Sequence, residues 1–163
     1  MINFFQLYKW LAVPYAEPPV GDKRFKAPES KKTLKKPLEA SEIPNSCMQL
    51  INKKLSDKLK FSHPYELADD SISKPSEDCL YLNIYVPKKD FKIKKKPILI
   101  VIHGGDGTTG TGSLDIQEPS VFAAMTNTIV VTVNYRLGIF GFLQIEGNNG
   151  NFNYQFSTLI SWF

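Results

Sequence analysis

The sequence predicts an α/β protein with a mixed sheet, and three stretches of the chain support that prediction. Cys79–Val86 alternates between aliphatic residues and tyrosine or asparagine, which is the period of a strand that buries one face. Pro97–Ile102 is a continuous apolar run, typical of a strand buried on both faces. Thr128–Val133 is rich in β-branched residues and follows a helical pattern at residues 118–126. A strand, a helix and a second strand in this order favour a right-handed crossover, so we expect a parallel pair here.

Length and composition are those of a single globular domain. The chain has 163 residues, of which 42% are hydrophobic and 22% are charged, enough for a workable core. The formal charge is +4, but acidic residues separate the lysine clusters, and no arginine residue is interleaved with the lysines. This pattern favours a solvated basic surface over nucleic-acid binding. No apolar run approaches the roughly 20 residues that span a bilayer. The lysine clusters lie at Lys31–Lys36, Lys53–Lys60 and Lys88–Lys96.

The first half of the chain carries weaker signals. The apolar opening Met1–Val13 has no basic leader and no small-residue cleavage site, so we interpret it as part of the fold rather than as a signal peptide. Proline recurs through residues 14–28, which predicts an ordered loop or edge segment. Leu50–Leu59 has apolar residues at near-helical spacing and predicts a short amphipathic helix, with a polar loop at residues 68–76.

The apolar run ends in a glycine-rich turn, His103–Gly112, that could hold one of three ligands. A phosphate loop requires Gly-Lys-Ser/Thr, and this turn contains no lysine. Gly105-Asp-Gly107-Thr-Thr-Gly110 matches the dinucleotide string, but the acidic partner expected further along the chain is missing. The third ligand, an oxyanion, fits best. His-Gly-Gly at the end of a hydrophobic strand is the arrangement that lipases and esterases place before their first sheet helix.

Two cysteines, Cys47 and Cys79, leave two states open. They can form a bridge or remain free thiols, since two cysteines alone do not distinguish these states. A bridge would stabilise the fold by roughly 3–4 kcal/mol through the loop that it closes. It would also indicate an oxidising compartment.

Four segments together resemble the carboxylesterase type B family, which includes cholinesterases and neuroligin-type adhesion proteins. They occur in the family's order and spacing. The resemblance implies that residues 1–163 are the N-terminal portion of one α/β-hydrolase domain, with antiparallel N-terminal strands and a βαβ unit. The segments are Pro14-Tyr-Ala-Glu-Pro-Pro-Val-Gly-Asp-Lys-Arg-Phe25, Ser76-Glu-Asp-Cys-Leu-Tyr-Leu-Asn-Ile-Tyr-Val-Pro87, Pro97-Ile-Leu-Ile-Val-Ile-His-Gly-Gly105 and Val130-Val-Thr-Val-Asn-Tyr-Arg-Leu-Gly-Ile-Phe-Gly-Phe-Leu143.

The resemblance also implies roles for particular residues. Cys47 and Cys79 match the family's first disulfide, which implies a secreted or cell-surface protein. Arg24 and Glu77 match a family ion pair near the sheet, although an ordinary surface pair would contribute little. The oxyanion amides of active relatives correspond here to residues of the glycine turn, namely Gly104, Gly105 and Asp106.

The catalytic triad of the family has no counterpart in this chain. The Gly-x-Ser-x-Gly nucleophile turn does not occur, and Ser113 with His103 is no substitute, because only two histidines are present and no Ser–His–acid arrangement can be read from them. We therefore expect no ester hydrolysis by the chain alone. Its parent is either a serine carboxylic-ester hydrolase acting on small-molecule esters or a non-catalytic neuroligin-like ectodomain that binds an extracellular protein. We expect no cofactor, no metal, and membrane attachment only through a missing C-terminal segment.

Two departures from the family bear on activity. Asp106 stands where active relatives have the third glycine of His-Gly-Gly-Gly. A carboxylate about 4 Å from a developing oxyanion opposes it by about 4 kcal/mol at an effective dielectric of 20, so we expect a poor esterase or none. The segment between Cys47 and Cys79 lacks the tryptophan that holds quaternary ammonium in cholinesterases, and its aromatic residues are Phe61 and Tyr65. A choline-ester substrate is therefore disfavoured.

Overall fold

The computed structural model describes residues 6–34, 36–50, 74–88 and 95–143. Within these ranges the chain forms four strands, two short α-helices and two 3-10 turns. The strands are β1 (Leu7–Pro14), β2 (Tyr81–Pro87), β3 (Ile98–Ile102) and β4 (Ile129–Val133), the helices are α1 (Ser120–Thr126) and α2 (Gly138–Phe142), and the 3-10 turns are Gly21–Lys23 and Asp115–Gln117.

The predicted mixed sheet is confirmed. Its strand order is β1-β2-β4-β3, with β1 and β2 antiparallel, β2 and β4 antiparallel, and β3 and β4 parallel. Helix α1 connects the parallel pair, as the strand–helix–strand pattern predicted. It begins at Ser120 rather than at residue 118, because Pro119 occupies the N-cap position, and it ends where Asn127 adopts a left-handed backbone.

A bulge interrupts β1 between Trp10 and Val13. Ala12 has a φ of 54° there, and its N–H turns away from the strand ladder to donate to the side-chain oxygen of Asn83 at 3.1 Å. The bulge therefore ties the first strand to a buried polar residue of the second.

The prediction that β2 buries only one face is wrong. Asn83 and Tyr85 are 2% and 5% exposed, although they lie on the face expected to meet water. Tyr85 packs with Ala123 of α1 and Val130 of β4, whereas Leu82 lies in the larger cluster on the opposite face. The strand is buried on both faces because it lies inside the sheet and the α1 crossover covers its second face.

The prediction that β3 is buried on both faces is also wrong for the described part of the chain. Ile98 and Ile102 are each 53% exposed, and the residues between them are partly open. Among the described strands β3 pairs only with β4, so it forms an edge of the sheet. The helix expected at Leu50–Leu59 falls, apart from Leu50, on residues 51–73, which lie outside the described residues.

Candidate functional site

The glycine turn starts directly after the last residue of β3, at the carboxyl end of the parallel pair. His103 opens it with a side chain that is only 4% exposed and stacks on the ring of Tyr135, with a centroid separation of 4.4 Å. The Tyr135 hydroxyl donates to the main-chain oxygen of His103 at 2.9 Å. Burial lowers the pKa of the His103 imidazole, so the ring is neutral near pH 7. His103 therefore fixes the start of the turn.

Gly105 closes a tight turn on itself. Its main-chain oxygen accepts hydrogen bonds from the N–H groups of Thr108 at 2.9 Å and Thr109 at 3.1 Å. Its φ is 118°, and a Cβ at this position would lie 2.1 Å from the main-chain oxygen of Thr109. Only glycine fits here, because a side chain would meet backbone atoms that cannot move aside.

Gly110 brings the chain back onto His103. A Cβ at Gly110 would lie 2.3 Å from His103 Nδ1, and the residue has a φ of 115°. The side-chain amide of Gln49 holds both of its main-chain polar groups. The Gly110 N–H donates to Gln49 Oε1 at 2.8 Å, and Gln49 Nε2 donates to the Gly110 oxygen at 2.9 Å.

The end of the turn is held from the far end of β4. The N–H of Gly112 donates to Asn134 Oδ1 at 2.7 Å, and the hydroxyl of Thr111 donates to the same oxygen at 3.1 Å. The Asn134 amide nitrogen in turn donates to the main-chain oxygen of Asn45 at 2.9 Å. Because Asn134 is 2% exposed, these bonds join the turn, the sheet and the cysteine-bearing segment in a site shielded from water.

Ser113 is held by a buried amide. Asn83 Nδ2 donates to Ser113 Oγ at 3.0 Å and to Thr132 Oγ1 at 3.1 Å. The Ser113 hydroxyl thus belongs to a structural network around β2 and β4, whereas the His103 ring contacts Tyr135 and Gly104. The structure does not bring Ser113 and His103 together as a nucleophile and base.

The main-chain N–H groups of Gly104, Gly105 and Asp106 differ from those that follow. None of the described residues accepts a hydrogen bond from these three amides. Asp106 has a φ of 52° and an exposed side chain. Aspartate tolerates this left-handed conformation better than most residues, so it preserves a main-chain path that glycine would also allow.

Two predicted pairs lie beside this region. Cys47 and Cys79 are joined by a disulfide with an S–S distance of 2.04 Å, and both residues are buried. Arg24 binds Glu77 through two hydrogen bonds of 2.6 and 2.5 Å, and this raises the pKa of the Arg24 guanidinium. The Arg24 side chain is 43% exposed and that of Glu77 is 19% exposed, so solvent screens the pair considerably.

Sequence reasoning missed three residues that hold the turn. Asn134 and Tyr135 directly follow β4, but nothing in the sequence indicated that they reach the glycine turn. Gln49 carries no signal at all, since it is one polar residue in a polar stretch and its contact with Gly110 spans 61 positions.

The described ranges contain no group of three or more histidine, cysteine, aspartate or glutamate residues able to hold a metal ion. The helices that the structure describes are all too short or too polar to span a bilayer.

The mixed sheet with its parallel crossover and glycine turn is part of an α/β-hydrolase fold. Residues 2–157 match the sequence profile of the carboxylesterase family, and the chain therefore belongs to that family. Similar proteins include acetylcholinesterase 1 of Caenorhabditis elegans, which is 41% identical over 86% of this chain and 22% of its own length. Para-nitrobenzyl esterase of Bacillus subtilis is 41% identical over 88% of this chain and 27% of its own length. Neuroligin-2 of Mus musculus is 36% identical over 90% of this chain and 20% of its own length.

Proposed function

We propose that the whole protein is a weak serine carboxylic-ester hydrolase acting on small-molecule esters. Residues 1–163 would form the N-terminal portion of its domain and supply the oxyanion amides, while the nucleophile, acid and base would come from other parts of the protein. The observation that carries this proposal is the set of three N–H groups at Gly104, Gly105 and Asp106, which donate to none of the described residues. Donors fixed in advance and aimed at a developing oxyanion stabilise the transition state of acyl transfer.

Asp106 sets the expected level of activity. A carboxylate about 4 Å from the oxyanion opposes it by about 1 kcal/mol in water-like surroundings and by about 4 kcal/mol at an effective dielectric of 20. The Asp106 side chain is exposed in the described structure, which favours the smaller penalty. Covering of the site by substrate would exclude water and move the penalty toward the larger value. We therefore expect slow turnover that is limited by this charge.

The test is ester hydrolysis by the full-length protein and its Asp106→Asn variant. Asparagine matches aspartate in size and tolerates a positive φ, so the substitution removes the charge and keeps the turn. We expect kcat for a short 4-nitrophenyl ester to rise by between about fivefold and a thousandfold. Asp115→Asn is the matched control, because Asp115 is also exposed but lies beyond the turn, and it should leave kcat unchanged. Equal turnover by the wild type and Asp106→Asn would contradict the charge argument, and no turnover by either would contradict the esterase proposal.

A second candidate function is binding of an extracellular protein by a non-catalytic, neuroligin-like domain. It is supported by the 36% identity to mouse neuroligin-2 over 90% of the chain and by Asp106 in place of a glycine. The Gly110-Thr-Gly112 string also resembles the neuroligin version of this loop. The sequence beyond Phe163 distinguishes the two functions, because an esterase needs Gly-x-Ser-x-Gly there and a binding domain does not.

We propose a secreted or cell-surface location. The buried Cys47–Cys79 bridge supports it, since such bonds persist in oxidising compartments. Detection of two free thiols in the natural protein after rapid alkylation would contradict it. We also propose that choline esters are poor substrates, because the segment between these cysteines lacks tryptophan.

A further inference from the structure

The side chain of Gln49 makes three hydrogen bonds between two parts of the molecule. Its amide nitrogen donates to the main-chain oxygens of Gly110 at 2.9 Å and Cys47 at 3.0 Å, and its oxygen accepts the Gly110 N–H at 2.8 Å. A primary amide has two N–H groups, and both are engaged here. This is a two-sided contact, and a shorter or apolar side chain could not reproduce it.

The segment that carries Gln49 is fixed independently of the turn. Cys47 is held by the disulfide to Cys79, and a β-bridge joins it to Ser76. The N–H of Ser76 also donates to the main-chain oxygen of Ser46 at 2.9 Å. Gln49 thus extends from a covalently anchored base to the part of the turn between Gly107, whose oxygen accepts the Gly138 N–H at 2.7 Å, and Gly112, which Asn134 holds.

We propose that Gln49 is a positioning residue that couples the Cys47–Cys79 disulfide to the main-chain amides of residues 104–106. These amides lie between His103, which Tyr135 and burial hold in place, and Gly110, which Gln49 holds in place. If Gly110 is released, the turn keeps its anchors at His103, Gly107 and Gly112. It loses the side-chain contact that holds Gly110 directly against His103 and Gly104. The positioning effect is independent of any reaction, whereas its consequence for turnover rests on the proposed esterase function.

The experiment is hydrogen–deuterium exchange of the full-length protein, read as the exchange rate of residues 103–112 relative to that of β2. Gln49→Met keeps the length and packing of the side chain and removes its hydrogen bonds. We expect this ratio to rise by roughly tenfold, the size of change that loss of one or two such bonds produces. Gln117→Met is the matched control, because Gln117 is exposed and lies beyond the turn, and it should leave the ratio unchanged.

Coupling to the disulfide is tested by a second pair of variants. Replacing both cysteines with alanine should also accelerate exchange in the turn, and adding Gln49→Met should then have little further effect, since both changes break the same connection. Additive effects would overturn the coupling. An unchanged ratio in Gln49→Met, or a rise shared equally by β2, would overturn the positioning role. If Gln49→Met does not fold, Gln49→Glu replaces it, because glutamate keeps the acceptor and loses both donations, and an unchanged ratio in that variant counts equally against the proposal.

Kinetics separate this inference from the proposed function. In an active esterase Gln49→Met should lower kcat while leaving KM nearly unchanged, because the amides act on the transition state. A faster-exchanging turn in a protein without esterase activity would support the positioning role and reject the esterase. If the wild type is active and Gln49→Met leaves both the exchange rate of the turn and kcat unchanged, the esterase proposal is supported and the positioning role is rejected.

Discussion

The two halves of the glycine turn are held in opposite ways. The closing half, Gly110–Gly112, is hydrogen-bonded to the side chains of Gln49, Asn83 and Asn134, which come from three distant parts of the chain. In the opening half, Gly104–Gly107, the contacts are made by the main chain: Gly105 closes an internal turn, and the Gly107 oxygen accepts the Gly138 N–H at 2.7 Å. None of the described residues accepts the N–H groups of Gly104, Gly105 and Asp106. Side chains therefore fix the path of the chain on one side, and on the other side three main-chain donors have no acceptor within the described part of the chain. Preorganised donors need this combination of a rigid frame and unused N–H groups.

The largest effect should follow from filling the space where the closing half meets His103. In Gly110→Ala the new methyl group would overlap His103 Nδ1, and the residue would keep an unfavourable φ of 115°. We expect a loss of about 3 kcal/mol or more in the free energy of unfolding, measured by urea titration of the full-length protein. Gly21→Ala is the control, because Gly21 has a φ of 56° but no atom within 4 Å of the added Cβ, and about 1 kcal/mol should be lost. Equal losses would show that the close approach to His103 is unimportant.

Removing the Asn134 side chain, which follows β4 and holds the end of the turn, should lower the free energy of unfolding slightly less than Gly110→Ala does. Asn134→Ala leaves the Gly112 N–H and the Asn45 oxygen without their side-chain partner, so we expect about 2–3 kcal/mol of destabilisation. Thr108→Ala removes an exposed hydrogen bond to Gly105 in the other half, and its cost should stay below about 0.5 kcal/mol. Thermal or urea unfolding of both variants compares the two halves directly. Similar losses of stability in Asn134→Ala and Thr108→Ala would contradict the claim that the two halves of the turn are held differently.

The stability of the protein should depend on pH through His103. Burial lowers the pKa of its imidazole, so below about pH 6.5 the unfolded chain binds a proton more readily than the folded one. The stability that the neutral ring contributes is fully present above that pH, and it is lost as the pH falls toward the pKa of the folded state. His103→Gln should remove this loss, which reaches about 1.4 kcal/mol per pH unit at its steepest. Parallel curves of unfolding free energy against pH for the wild type and the variant, between about pH 7 and pH 5, would contradict the assignment of this pH dependence to His103.

The smallest effect on stability should come from the opening half. Asp106→Asn keeps a residue type that tolerates a φ of 52° and changes an exposed side chain. We expect a change within about 0.5 kcal/mol, measured by urea unfolding. A loss larger than about 1 kcal/mol would mean that the Asp106 carboxylate has a structural task, and its proposed effect on turnover would then need a different explanation.

The sequence identified most of the elements that position the site, because periodicity reports what a strand or helix presents to its neighbours. The alternation in Cys79–Val86 and the β-branched run before Asn134 located β2 and β4. Periodicity did not reveal how much of each strand is covered. Tyr85 is buried because α1 packs on it, and Ile102 is open because β3 pairs only with β4 among the described strands.

The sequence predicted where the candidate site lies, but it did not predict which residues hold the turn in place. His103 and the glycines after it located the turn, since only glycine permits such close approaches of the main chain. The contacts of Gln49 and Asn134 join residues far apart in sequence, so local patterns carry no trace of them. Aspartate at position 106 was interpreted from its charge, whereas its tolerance of a left-handed backbone became relevant only with the φ angle in view.

The central claim is that the first amides of the turn are available to an acyl oxygen. It is tested most directly by residue-resolved hydrogen exchange of the full-length protein, with and without an arylboronic acid that mimics the tetrahedral intermediate. We predict fast exchange at Gly104, Gly105 and Asp106 in the free protein and strong protection when the boronate binds, with little change at Gly110 and Gly112. Slow exchange at the first three amides in the free protein, or boronate binding that leaves them unprotected, would contradict the claim.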